Sequence, residues 1–271
     1  MTLPKIGAAL NFSEIAALRD WLFDAGRDIE LQDFMSAKVL NGDWKDLADA
    51  AKRALDGHQG RLGIHGPYRG LDIDNSDPEI QKIITARFLR ALEVCERIGA
   101  AQMVLHSPYS HWYKNNLYTY PGYREGKLKK IHAILDPVVK RAEETGVTLV
   151  IENIQDVDPD ERKMMAQSFD SDAVALSIDT GHAHLARFMS GAPPVDFFFT
   201  QAGEMLQHVH VQDLDGHADR HWAPGDGTIE WSAVFKALRS LEHSPHLVLE
   251  LRHKEDIPRA FTYLHDLGLC A

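Results

Sequence analysis

The sequence predicts a single (β/α)8 barrel, and three observations lead there. Eight short runs rich in apolar and β-branched residues recur along the chain, each followed by a longer stretch of helical periodicity, which is the pattern of repeated βα units. No Gly/Ser-rich or Pro-rich linker, low-complexity tract or block of like charge divides the 271 residues, so residues 1–271 read as one domain. Eight βα units in about 250 residues is the usual size of the closed parallel barrel. An open doubly wound sheet would commonly begin with a glycine-rich turn, whereas the first run here ends in Asn11-Phe12.

The strand runs cover residues 5–10, 28–34, 61–65, 102–106, 148–153, 173–179, 207–212 and 247–251. The clearest helix spans 78–98, with Pro78 suited to a first turn and Gly99 to a stop. A second spans 127–144 and ends before Gly146, and a third spans 231–241. Phe197-Phe198-Phe199, following Pro193-Pro194, begins another helix and reads as core or as a subunit contact in a homo-oligomer.

Composition narrows the function. A chain that is 44% hydrophobic and 25% charged belongs with ordinary globular proteins. The start of the chain lacks the basic segment, apolar stretch and cleavage site of an export signal, and no run approaches the roughly 20 apolar residues of a membrane helix. With Cys95 and Cys270 the only cysteines, the expected location is the reducing cytoplasm, without a membrane partner. The net charge of −11 repels phosphate backbones and weighs against nucleic acid.

Fifteen histidines is a high count, and several stand in His-x-His or Asp-x-His pieces. In a parallel barrel the strand tips at one face build the active site, so a polar residue closing an apolar run is informative. The third run ends in His65-Gly-Pro-Tyr68, the fourth in His106, the fifth in Glu152-Asn153 and the sixth in Asp179-Thr-Gly-His182. The seventh ends in His208-Val-His210-Val-Gln-Asp213, with Asp219 and His221 in its loop, and the eighth carries Glu250. Period-two alternation puts Thr148, Val150 and Glu152 on one strand face, and likewise Val248 with Glu250 and His208 with His210. Each of these carboxylates, if buried alone, would need its own charged or hydrogen-bonding partner, whereas a shared cation satisfies them together. The predicted ligands are Glu152, Asp179, His210 and Glu250, with His65, His106, His182, Asp219 and His221 as further ligands or substrate contacts. His208 and His184 read as supporting residues. Carboxylate with imidazole suits Zn, Mn or Co, and Mg is compatible. Tyr68, Trp112 and Trp222, with Tyr109 and Tyr113, supply aromatic faces near these strand ends that suit a sugar ring as well as a structural cap.

Read together, these segments resemble the xylose isomerase-like barrel superfamily of sugar and sugar-phosphate isomerases and epimerases and endonuclease IV-type apurinic endonucleases. The most specific piece is His210-Val-Gln-Asp213 followed by Asp219-Arg-His221-Trp-Ala-Pro-Gly-Asp-Gly-Thr-Ile-Glu-Trp231. In the isomerase branch the resemblance implies one divalent metal on Glu152, Asp179, His210 and Glu250. The two glutamates would exchange protons with a ketose through a cis-enediolate whose carbonyl and hydroxyl oxygens the metal holds. His182 and His221 become substrate contacts in that case. In the endonuclease branch the same four positions, with His65, His106, His182, Asp219 and His221, hold three zinc ions, and this chain has all nine. The expected ion count is therefore one to three. Arg69 stands where the endonucleases prefer an apolar wedge, and the Pro224–Trp231 stretch matches the isomerase-like members. His221 in turn stands where ketose epimerases carry Arg. The leading expectation is a metal-dependent sugar or sugar-phosphate isomerase or epimerase. The alternative is a trinuclear zinc phosphodiesterase acting on abasic DNA, and a noncatalytic binding module is a third reading.

Overall fold

The computed structural model describes residues 3–271. Eight parallel strands close on themselves in chain order: β1 (Gly7–Leu10), β2 (Ile29–Leu31), β3 (Leu62–His65), β4 (Gln102–His106), β5 (Thr148–Glu152), β6 (Val174–Asp179), β7 (Leu206–Val211) and β8 (His246–Leu249). Closure runs through Gly7 opposite Val248 and Ala8 opposite Leu249. Every expected strand is present: β4 has the expected bounds, and ends of the others move by one to three residues. β2 differs most, because the Asp33 carboxylate accepts the Phe12 amide at 2.8 Å and turns the chain out of the sheet. Glu250 lies one residue beyond β8, yet its amide still donates to the Val211 carbonyl at 3.2 Å and keeps the ladder direction.

The helix Pro78–Ile98 has the expected bounds for identifiable reasons. Asp77 accepts the Glu79 amide at 2.8 Å, Pro78 fills the first turn, and Gly99 takes the left-handed conformation at φ 80°. Its face of Ile84, Phe88, Ala91, Leu92 and Cys95 packs on the barrel. The second helix starts earlier than its periodicity suggests, at Tyr123–Thr145, and the third is shorter, at Trp231–Leu238. Of the aromatic triplet, Phe198 and Phe199 enter the core and Phe197 is 40% exposed. Among the described residues no helix is long and apolar enough to cross a membrane.

Most apolar side chains fill the layer between strands and helices, while Val104, Val150 and Ala175 form a separate small plug inside the barrel. The remaining buried interior is polar and includes Glu30, Glu152, Ser177, Asp179, His208 and His210. Beyond β7 the chain loops out and returns: Asp213 and Trp222 exchange backbone hydrogen bonds at 2.9 and 3.0 Å. The Asp213 carboxylate accepts the amides of Leu214, Gly225 and Ile229 and the Trp231 indole N–H, at 2.9 to 3.2 Å. A Cβ on Gly227 would lie 2.3 Å from that carboxylate, so the loop closes only around glycine. The Gly-Asp-Gly-Thr-Ile-Glu-Trp stretch is thus the far wall of a loop gathered on Asp213, and that loop carries Asp219 and His221 back over the barrel mouth. Replacing Asp213 with Asn turns an acceptor-only group into one that faces buried donors with its own N–H. The expected cost is about 2–4 kcal/mol in denaturant unfolding, and a loss under about 0.5 kcal/mol would remove Asp213 from this role.

Candidate metal centre

Nine side chains from six strand ends and the β7 loop meet at the carboxyl end of the barrel in three groups: His65, His106 and Glu152; Glu152, Asp179, His210 and Glu250; and His182, Asp219 and His221. In the central group His210 Nδ1 lies 3.2 Å from Glu152 Oε1 and 3.3 Å from Glu250 Oε2. In the first flank His65 Nε2 and His106 Nε2 are 3.3 Å apart and stand 3.7 and 3.5 Å from Glu152 Oε2. In the second, His182 Nε2 and His221 Nε2 face Asp219 Oδ1 at 3.5 and 3.1 Å.

The local chain explains each orientation. Asn153 and Asp179 clip the tips of β5 and β6 together, since the Asn153 amide donates to the Asp179 carbonyl and accepts the Asp179 N–H, at 3.0 and 2.9 Å. Asp179 caps the next helix by accepting the His182 amide at 2.6 Å. Gln212 donates to both Asp179 oxygens at 3.1 and 3.3 Å, and its carbonyl accepts the His221 amide at 3.1 Å. It fits there because a Cβ on Gly181 would come within 2.3 Å of its side chain. His221 is held with φ at 51°, a backbone region uncommon for residues other than glycine, which aims its ring at the mouth.

Whether these donors fit a cation can be judged from the imidazoles. A neutral imidazole has one N–H and one lone pair. His65 Nδ1 meets the Gly66 carbonyl at 2.9 Å, His182 Nδ1 the Asn153 carbonyl at 3.1 Å, and His221 Nδ1 the Glu250 carbonyl at 3.0 Å. A carbonyl only accepts, so the N–H of each ring is committed there and the lone pair of Nε2 points into its group. With the rings neutral, lone pairs and carboxylate oxygens would converge with no proton between them, and Glu152 Oε2 is buried without any hydrogen-bond partner. Such a set suits a divalent cation with nitrogen and oxygen preference.

The charges describe the same need. Burial opposes ionisation of Glu152, yet His210, His182 and His106 hold its carboxyl well below the ordinary range. Burial pushes Asp179 up to about 6, with Glu152 and Glu250 adding to the rise. Burial works against the charged forms of His182 and His210, but Asp179 beside the first and Glu250 with Glu30 beside the second raise both well above the usual value. His221, also opposed by burial, rises to about 9 through Asp219, Glu250 and Asp179. Protons on these rings do the neutralising that a cation would otherwise do.

Of the aromatic candidates, Tyr68 stacks on His106 with centroids 4.2 Å apart and lines a cavity of about 470 Å³ with His106, Ser107, Tyr109, Ile154 and Gln155. Trp222 sits in the β7 loop under the Arg220 guanidinium, and Trp112 stands 63% exposed and does not line that cavity. His184 bonds Thr228 at 2.8 Å, away from the three groups. Two residues of the β2 region that are not among the sequence-based candidates also reach the centre. Glu30 lies 3.0 Å from His210 Nε2, and Gln32 donates to Glu250 Oε1 at 2.7 Å while accepting Lys254 Nζ at 3.0 Å. Their signal is present as Asp28-Ile-Glu-Leu-Gln, polar residues at period two inside a buried run.

The profile of the xylose isomerase-like TIM barrel matches residues 23–269. The chain belongs to this family. Among relatives in sequence, the "uncharacterized protein MJ1311" of Methanocaldococcus jannaschii is 22% identical over 209 residues, covering 74% of this chain and 68% of that protein. The TTHB071 protein from Thermus thermophilus, solved after soaking with ZnCl2, superposes with a TM-score of 0.73 at 25% identity, covering 97% of this chain and 98% of that one. A D-tagatose 3-epimerase-like protein superposes with a TM-score of 0.79 at 18% identity, covering 97% and 96%.

These shifts set a pH dependence. A histidine whose folded value is raised stabilises fully below its unfolded value near 6.5, and His221 loses that contribution as pH rises through about 9. Chelator-treated protein should therefore melt several degrees lower at pH 9.5 than at pH 6.5. Asp179 titrates below this window. Metal-saturated protein should reverse the trend, because deprotonated ligands bind the cation better. A flat melting profile for the chelator-treated chain between those pH values would contradict the assignment of charge in this centre.

Proposed function

We propose that the chain is a divalent-metal-dependent isomerase or epimerase of a sugar or sugar phosphate, with Glu152 and Glu250 as its proton-transfer pair. The observation that carries this reading is the placement of the two glutamates. They reach the central group from β5 and from the end of β8, and their inner oxygens stand 3.2 and 3.3 Å from His210 Nδ1. The adjoining cavity of about 470 Å³, lined by Tyr68 and His106, has the size of a small-molecule site. The family membership and the D-tagatose 3-epimerase-like neighbour support the same class.

Glu152, Asp179, His210 and Glu250 would hold the metal, Zn or Mn by their donor chemistry. When bound, it supplies Lewis acidity that polarises a carbonyl and stabilises the charge developing beside it. The chain does the rest. Gln32, oriented by Lys254, holds the outer oxygen of Glu250 and leaves the inner one turned to the centre. Gln212 and the His182 amide fix Asp179. One glutamate takes the proton from the carbon beside the substrate carbonyl, and the other returns a proton to the resulting enediolate. His182 and His221, at the rim, would meet substrate hydroxyls, and Tyr68 would meet a ring face.

Incubating metal-loaded protein with ketoses and ketose phosphates in D2O should put deuterium on the carbon next to the carbonyl. Glu152→Gln and Glu250→Gln should each lower the rate by about 10²–10⁴-fold with the fold retained. Full turnover with Gln at both positions would defeat this mechanism.

A second reading, zinc-dependent phosphodiester hydrolysis on abasic DNA, is favoured by the two flanking groups, which a mononuclear isomerase has no need to complete. Under it the chain binds three zinc ions, cleaves an abasic duplex, and loses that activity on His65→Ala. Under the isomerase reading one tightly bound ion is expected and His65→Ala is mild. Elemental analysis of untagged protein, with the abasic-duplex assay, separates the two.

A further inference from the structure

The geometry assigns Glu30, in the middle of β2, as the positioning residue that selects which nitrogen of His210 faces the metal. Glu30 is 2% exposed. Its two oxygens lie 3.0 and 3.1 Å from His210 Nε2, on the side of the ring away from Glu152 and Glu250. It is the carboxylate that meets this nitrogen; Glu152 and Glu250 meet the ring at Nδ1. The second Glu30 oxygen also faces His208 Nε2 at 3.1 Å, and His208 is braced from behind by Ser177 Oγ at 2.8 Å from its Nδ1. Stacking on His65, with planes 7° apart, and the edge-on contact with His208 hold the His210 ring in that plane.

A neutral imidazole cannot turn a lone pair both ways. Glu30, His208 and His210 Nε2 could in principle surround a cation themselves. That group offers one carboxylate, whereas Glu152, Asp179 and Glu250 offer three on the Nδ1 side. His210 therefore gives its N–H to Glu30 and its lone pair to the larger group. An N–H donated to a carboxylate also makes the ligating nitrogen more basic, and losing such a partner costs metal affinity of order 10–100-fold. His208, outside the ligand set, packs beside Glu30 with its Nε2 3.1 Å away, while the hydrogen bonds of Glu30 in this pair go to His210.

This inference rests on the central metal site proposed above. Zinc affinity is measured by competition with a chromophoric chelator in a His65→Ala/His221→Ala background, so that the central group is what titrates. Glu30→Leu should weaken zinc binding about 10–100-fold. Glu30→Gln, which keeps an acceptor oxygen, should weaken it less, and either change should have no further effect once His210→Ala is present. Should the Leu variant not fold, the Gln variant carries the test through the same comparison. Unchanged affinity in the folded variants, or equal losses with and without His210, overturns the inference, because a merely structural glutamate would not act through one imidazole. So does anomalous scattering that puts zinc against His210 Nε2. Absence of zinc binding by the parent chain is a different result, which sinks the metal centre itself.

Discussion

A carboxylate that is 1% exposed and faces imidazoles with both of its oxygens is costly in a dry interior unless positive charge accompanies it. Glu152 is in that position, and the rest of the centre follows from it. Its Oε1 belongs to the group containing His210 and its Oε2 to the group containing His65 and His106, so it joins two potential cation sites through one side chain. Asp179 and Glu250 add like charge nearby, which is why Asp179 is pushed up. Without a cation the balance is kept by protons on His182, His210 and His221, and those protons occupy the lone pairs that a metal would use. Proton and metal binding would thus be alternative solutions to the same burial problem, and their competition would tie the stability of the chain to the occupancy of the proposed site.

The scaffold makes this arrangement tolerable by fixing hydrogen bonds one layer out. Backbone carbonyls of Gly66, Asn153 and Glu250 each commit one histidine nitrogen. Side chains do the same where the backbone does not reach: Gln212 for Asp179, Gln32 for Glu250, Glu30 for His210. Most of these groups sit on strand ends, where the ladder sets their direction. His182 stands in the helix turn that Asp179 caps, and Asp219 and His221 ride on a loop whose shape is imposed by Asp213 several residues upstream. The buried Asp213 carboxylate therefore supports the second flank without touching it.

The barrel is legible in the sequence because fully buried parallel strands leave apolar runs, and helix ends such as Asp77-Pro78 and Gly99 leave caps. Its ends are less legible at β2, where Asp33 leaves the sheet for a tertiary hydrogen bond to Phe12 that no local pattern announces. The candidate ligands stand out because a His or Asp closing an apolar run is chemically conspicuous. Glu30 and Gln32 stand inside such a run and escape that criterion, although a carboxylate at a buried strand position poses the same burial problem as Glu152. The role of Gln212 is hidden because it depends on the close approach of Gly181, a contact between β7 and the helix after β6. Trp112 joins the aromatic candidates only by its place after β4, and the structure leaves it in solvent while Tyr68 reaches His106.

The two reaction classes make incompatible demands on Glu152. Proton transfer requires that one of its oxygens keep a lone pair available to substrate. Were the group with His65 and His106 and the group with His210 both to hold a cation, Glu152 would serve each of them and would have little basicity left for a carbon-bound proton. Under the readings proposed above, occupancy of the first flank would bear on chemistry as well as on stoichiometry: filled, it would favour displacement at an ester of phosphate; empty, it would leave Glu152 Oε2, which has no hydrogen-bond partner, open to substrate. His106 is held neutral by burial, which drives it down to about 3, so in the metal-free state this imidazole does not take up the proton that would satisfy Glu152. Under the two readings proposed above that oxygen would serve as a metal ligand in the one and as the base in the other, so the occupancy of the group with His65 and His106 would decide between them.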